Sequence, residues 1–310
     1  MFRSTLLALV ALPRAAGQDA ACQAGSPSCT GTLPSVKGAV LLQVASRRLV
    51  NVSMLDTQIA ETQSMGLISE SAEQWLERKK IHMEQMKRER AHRDMAKGEP
   101  RGGVWWQDHY EPSFHCELEE RVGMMGDGGK WVCDPSTIAR KVAAGAPCLV
   151  YSVGSNGDFS FEEAVKKKIS PHCEVHVFDP APQGEWTPPV NVTYHSVALG
   201  DGKTGKTMKQ IVSELGHGGR HIDLFKIDCE GCEWSTYKHW LDAGVELRQI
   251  MVEMHWGPVK GDTDKAHGLF DHLFQNGYVV FNKEPNTLGC QGECIEYSFL
   301  KLDPSFSSEK

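Results

Sequence analysis

The chain has 310 residues, 40% hydrophobic and 24% charged, enough for one sizeable globular core plus an extension. Its formal charge of -7 excludes the bulk basic balance of a nucleic-acid binder. After the N-terminus no run reaches even 18 residues without a charge, which excludes a helical membrane span.

Residues 1–17 carry Arg3, an apolar run over 6–12, and the small residues Ala15 and Gly17 at the -3 and -1 positions of a cleavage site, a pattern that predicts a signal peptide. The chain is therefore expected in the secretory pathway, lumenal or secreted. Ten cysteines, an even set, and sequons at Asn51 and Asn191 fit that compartment and predict disulfides and glycosylation. Residues 18–60 mix Gly, Ser, Pro and Thr without sustained period and read as a flexible segment. Residues 61–103 read as a helical spacer. Ile68, Ala72, Trp75, Lys79, His82 and Met86 recur at a loose 3–4 spacing, predicting an amphipathic helix over 61–97 that docks or self-associates weakly. Residues 75–101 hold nine Lys or Arg against five Asp or Glu, a local surplus that suits a solvated helical face.

From residue 104 to 310 short apolar runs alternate with helical stretches, the pattern of βαβ units. Strands are predicted over 149–153, 174–178, 193–198, 222–227, 249–254, 278–282 and 294–301. Helices are predicted over 161–169, 208–215, 234–243 and 267–276. The last two strands flank a loop with Pro285, Asn286 and Gly289 and read as an antiparallel hairpin. The expected fold is α/β: a doubly wound, seven-stranded, mostly parallel sheet ending in an antiparallel hairpin, behind a helical N-terminal extension.

In such sheets ligands bind beyond the carboxyl ends of the strands. The first strand ends in Ser152, Gly154, Ser155, Asn156, Gly157 and Asp158, where two glycines permit a tight turn and close approach of a ligand. The spacing is not that of a dinucleotide pyrophosphate loop. The second strand ends at Asp179, placed to accept both hydroxyls of a ribose, so turn and acid together point to an adenosine-type ligand. The fourth strand runs into Asp228, Glu230 and Glu233, with Cys229 and Cys232 forming a C-x-x-C that reads as structural thiols or disulfide partners. Glu233 reads as a helix first-turn acid, leaving Asp228 as the stronger functional candidate. The fifth strand ends in Glu253 and His255; the imidazole is a candidate general base, with a structural histidine as the alternative. No metal is assigned, because Asp228, Glu253 and His255 offer only one imidazole. Cys148 and Cys173 precede strands expected to be neighbours, which makes a bridge between them feasible.

On Lys226, Asp228, Glu230-Gly231 and Glu233, supported by residues 120–123, 127–134, 152–158 and 177–180, the chain resembles FkbM-type methyltransferases and the animal methyltransferase-like proteins built on the same domain. The resemblance covers 116–301. It implies a class I methyltransferase fold and S-adenosyl-L-methionine as ligand, with Gly154 and Gly157 backing the donor, Asp179 on its ribose and Asp228 facing the reaction centre. It further implies O-methylation of a hydroxyl on a small molecule or glycan. Ser152 departs from the pattern, since many class I enzymes carry an acid there. A secreted binding or scaffold protein keeping the fold without turnover is the alternative.

Overall fold

A computed structural model describes residues 72–95, 103–180, 186–256, 263–286, 289–290 and 293–302. The leader, the segment 18–60, the sequon at Asn51, and Cys22 and Cys29 lie outside them. So do the ends of the expected 61–97 helix, of which α1 (Ala72–Met95) is described.

A short helix, α2 (Gly103–Asp108), precedes an antiparallel hairpin of β1 (Glu119–Val122) and β2 (Lys130–Cys133). Helix α3 (Pro135–Ala143) follows; the Asp134 side chain accepts from the Thr137 N–H and caps it, with Pro135 in the first turn. The main sheet is then built from β3 (Leu149–Val153), β4 (Glu174–Phe178), β5 (Thr193–His195), β6 (His221–Ile227), β7 (Glu246–His255), β8 (Tyr278–Pro285) and β9 (Cys294–Lys301). Their spatial order is β5-β4-β3-β6-β7-β9-β8, with β9 antiparallel to both neighbours and the other pairs parallel. This is the expected seven-stranded sheet, and order reverses between β3 and β6, where a crevice must open.

Alternation along the strands divides the core. Tyr151, Val153, Phe225, Ile227, Ile250 and Val252 meet α5 (Met208–Leu215), α6 (Glu233–Thr236) and α7 (Thr263–Gln275) on one face. Val150, Val175, Leu224 and Met251 meet α3 and α4 (Ser160–Ala164) on the other. Three predicted elements end early. The 161–169 helix turns π-helical over Val165–Ile169, the 193–198 strand stops at His195, and the 234–243 helix becomes a 3-10 turn over Tyr237–His239.

Helix α1 docks on the side expected of it, where Lys79, His82 and Met86 are half-buried, although polar contacts and not an apolar stripe hold it. Its contact face is Arg78, His82, Glu89 and Arg93. His82 Nδ1 lies 2.9 Å from Ser113 Oγ, Glu89 accepts the Tyr110 N–H at 2.8 Å, and Arg93 holds both oxygens of Asp271 at 2.8 Å. Leu76, Ile81 and Met83 remain exposed. The correction has a physical cause: apolar residues are spread around this helix, so directional ion pairs fix its seating instead.

Four disulfides are described, Cys116–Cys133, Cys148–Cys173, Cys229–Cys232 and Cys290–Cys294. The Cys148–Cys173 pair is the bridge between neighbouring strand starts expected from the sequence. No described helix is long and apolar enough to cross a membrane.

Candidate active site

At the reversal point a cavity of 690 Å³ opens, lined among others by Gly154, Ser155, Asn156, Asp179, Asp228, Glu253 and His255. Every predicted site residue except Ser152 and Gly157 lines it, and both of these flank the lining loop. Gly154 takes a φ of +76°, and a Cβ there would fall 1.6 Å from the Asp228 carbonyl oxygen, so no other residue fits. The Lys226 ammonium accommodates the same turn, donating to the Gly154 carbonyl at 2.5 Å.

Asp179 is buried at the end of β4, and its Oδ2 accepts the N–H groups of Ser155 and Asn156, both at 2.8 Å. It therefore shapes the glycine turn, a role the sequence did not predict, while lining the cavity where a carboxylate meets a ribose. Ser152 is fully buried behind this loop, and Glu162 of α4, also fully buried, brings a carboxyl group beside it and Lys226. The Ser152 hydroxyl and the Glu162 carboxyl face each other without a well-formed hydrogen bond. Burial pushes the Glu162 carboxyl above its ordinary range. Glu162 is thus a buried acid next to Ser152, and it does not line the cavity.

The opposite wall holds a residue that sequence reasoning missed. The β1–β2 hairpin lies on the sheet because Gln249 of β7 bonds both backbone groups of Cys133, at 2.8 and 2.7 Å, and Ser298 of β9 bonds the Trp131 carbonyl at 2.9 Å. This aims Lys130, fully buried, at Asp228 (3.3 Å), Glu253 (3.5 Å) and Glu296. Glu253 and Glu296 are register partners across β7 and β9, an arrangement that two ionised carboxylates would make repulsive. Burial, then the charge of Asp228, pushes Glu253 up to about 9, and burial raises Glu296 as well. Burial also works against ionisation of Asp228, but Lys130 and Lys226 outweigh it and hold that carboxyl at about 2. A signal for the hairpin was present: Asp127-Gly128-Gly129 between two short strand-like runs is turn chemistry.

His255 stands at the mouth. The Glu233 carboxylate, itself fully buried, accepts from the His255 backbone N–H at 2.8 Å and lies 3.1 Å from its Nδ1. Burial would lower the imidazole, but Glu233 and, more weakly, Glu253 and Glu230 raise it to about 9. At neutral pH His255 is thus mostly imidazolium, which modifies the general-base role expected of it. Glu233 is also more than a helix first-turn acid. Ligand atoms of Asp228, Glu230 and His255 lie within 4.8 Å of one another.

A methyltransferase-domain family (Methyltransf_22) matches residues 58–301. The chain belongs to this family. No curated protein matches it in sequence. Among solved structures it is similar in fold to human methyltransferase-like protein 13 in complex with SAH (13% identity, 55% of this chain and 79% of that one, TM-score 0.36). It is also similar to the N-methyltransferase NodS from Bradyrhizobium japonicum WM9 (13% identity, 55% and 94%, TM-score 0.31). The fibrillarin pre-rRNA processing protein of Methanococcus jannaschii is a further likeness (10% identity, 60% and 84%, TM-score 0.35). Likenesses this distant concern the fold alone.

Membership of a methyltransferase family implies S-adenosylmethionine as the methyl donor. The residues of this methyltransferase fit that donor: a glycine cradle that a Cβ would fill, the strand-end carboxylate of Asp179 lining the same cavity, and a volume within the usual 300–1,000 Å³ of ligand sites.

Proposed function

We propose that this methyltransferase alkylates a hydroxyl group of a small molecule or glycan, with Asp228 and His255 handling the acceptor. The supporting observation is their juxtaposition, within 4.8 Å, in the cavity that the glycine turn also lines. The bound donor supplies a methyl group already activated on a sulfonium, so the protein chiefly aligns the acceptor oxygen and excludes water. Asp228, ionised at neutral pH, accepts the acceptor's O–H and fixes its lone pair toward the glycine turn. When the donor's S–CH3 bond gives way to the new O–CH3 bond, the hydroxyl proton would leave its hydrogen bond to Asp228 for Nε2 of the fraction of His255 that is neutral. Glu253, protonated below pH of about 9, holds the wall together rather than acting as a base.

The test is a screen of hydroxylic small molecules and glycans with radiolabelled S-adenosylmethionine, followed by Asp228→Ala and His255→Ala. Label in a base-stable ether, lost in both variants, is the expected result. Label found solely on nitrogen, or full turnover in both variants, would overturn the reading. Four disulfides among the described residues support a secretory location, which intact-mass measurement of secreted protein checks.

A further inference from the structure

A second cluster lies outside the cavity. Glu174 and His176 alternate along β4 and so share one face of the sheet; His217 reaches that face from the turn that Gly216 makes after α5. Glu174 Oε1 sits 2.9 Å from His176 Nε2 and 3.1 Å from His217 Nε2, and the three ligand atoms fall within 4.8 Å of one another. None of these residues lines the methyl-transfer cavity. From this geometry we infer that Glu174, His176 and His217 form a binding site for zinc or a similar late first-row divalent ion.

A tetrahedral ion with bonds of about 2.0–2.2 Å to nitrogen and oxygen holds its ligand atoms about 3.3 Å apart, so the two Glu174–histidine distances need only a few tenths of an ångström of expansion. The far nitrogens of both rings are already anchored. His217 Nδ1 pairs with Tyr151 OH at 2.6 Å, and His176 Nδ1 with His195 Nε2 at 2.9 Å. Such outer bonds turn metal-binding histidines toward the ion and fix their tautomer. Tyr151 is the register neighbour of His176 across β3 and β4, so the sheet itself sets the first of these anchors.

Glu174 keeps its other oxygen on Arg220 at 2.8 Å, which leaves Oε1 for the ion. The half-exposed Glu174 side chain opens the site to water, which supplies the entry path and the fourth ligand. Bound there, an ion ties β4 to the loop after α5. Zinc is favoured over magnesium or calcium because two of the three ligands are imidazoles.

The test uses the untagged full chain, stripped with chelator and titrated with zinc by calorimetry, with cobalt absorption as a second readout. We expect tight zinc binding that falls at least about tenfold in His176→Gln and His217→Gln. Tyr151→Phe, which leaves every ligand in place, falls by about 10–100-fold. His255→Gln, which alters a different His-carboxylate group, leaves the binding intact. Circular dichroism confirms that each variant is folded; should a ligand variant fail, Tyr151→Phe and the zinc-induced shift of the His176 and His217 Nε2 resonances decide. Absence of zinc uptake at tens of micromolar, or uptake unchanged in the Tyr151 and ligand variants, overturns the inference.

Discussion

Replacing Glu233 with glutamine removes one charge and keeps an amide oxygen for the His255 backbone N–H that Glu233 Oε1 accepts at 2.8 Å, while it gives up the Gly231 N–H that Oε2 accepts at 3.0 Å, a cost that does not vary with pH. His255 stands at about 9 against an ordinary 6.5, and Glu233 is the first-ranked of the groups that raise it. Asp228, Glu230 and Glu253 also face the ring, so the variant should titrate below 9 but need not fall past 6.5. At pH 7 the neutral imidazole then grows from about 1% toward about three quarters of the population. Wild-type methyl transfer should rise about tenfold per pH unit from 7 to 9, whereas Glu233→Gln should reach its plateau well below that. The same change carries a stability signature. A histidine raised from 6.5 to about 9 stabilises the fold fully below pH 6.5 and loses that contribution as pH climbs through 9. At pH 6 the variant should therefore lose up to roughly 3 kcal/mol beyond that constant cost, a further deficit that vanishes above pH 9. Pairing rate profiles with an NMR titration of His255 tests both limbs. A His255 midpoint unchanged in the variant would refute the electrostatic account, and a moved midpoint with an unmoved rate profile would remove His255 from proton transfer.

Lys130→Met should destabilise the fold by about 3–5 kcal/mol in urea titrations, since it leaves Asp228 charged beside Glu253 and Glu296 with Lys226 alone to offset it; adding Glu296→Gln should recover part of the loss. Gly154→Ala should cost at least about 2 kcal/mol and abolish S-adenosylhomocysteine binding by calorimetry, because its Cβ would overlap the Asp228 carbonyl at a φ of +76°. Asp179→Ala should remove that binding while leaving Tm closer to wild type, through loss of the loop bonds to Ser155 and Asn156 and of the ribose partner. Replacing Cys148 and Cys173 by serine opens a loop of 25 residues and should lower stability by about 3.5 kcal/mol on the chain-entropy estimate, measurable as a fall in the urea midpoint.

The parallel strands were legible because each is an apolar run bounded by turn residues; Leu149–Val153 and Glu174–Phe178 lie where the sequence places them. The cavity residues were legible for a related reason: strand ends in an open α/β sheet define the ligand crevice before any side chain is placed. The β1–β2 hairpin was not read as strand. Each of its strands has four residues, and Glu119, Glu120, Arg121 and Lys130 break the apolar alternation that marks a half-buried strand. Those charges are explained only by partners far along the chain. Arg121 pairs with Glu284, and Lys130 with carboxylates on β7, on β9 and just past the end of β6. The value of Glu162 was equally hidden, since its neighbour Ser152 lies on β3 while it lies on α4. Contacts of that kind are tertiary and leave no local period.

Lys130 also bears on what the reaction-side wall can be. Oxygens of Asp127, Asp228 and Glu253 lie within 4.8 Å of one another, a grouping that by composition would suit a divalent ion. The Lys130 ammonium already stands between Asp228 and Glu253, at 3.3 and 3.5 Å, carried there by the hairpin and anchored from behind by Gln249. Lys130, with Lys226, holds Asp228 ionised, while burial pushes Glu253 and Glu296 upward. A divalent ion in the same place would have to hold a second carboxylate ionised against the adjacent ammonium. The wall's chemistry is therefore that of an internal lysine paired with Asp228. Such a fixed charge gives the acceptor an anionic hydrogen-bond partner whose position is set by the fold.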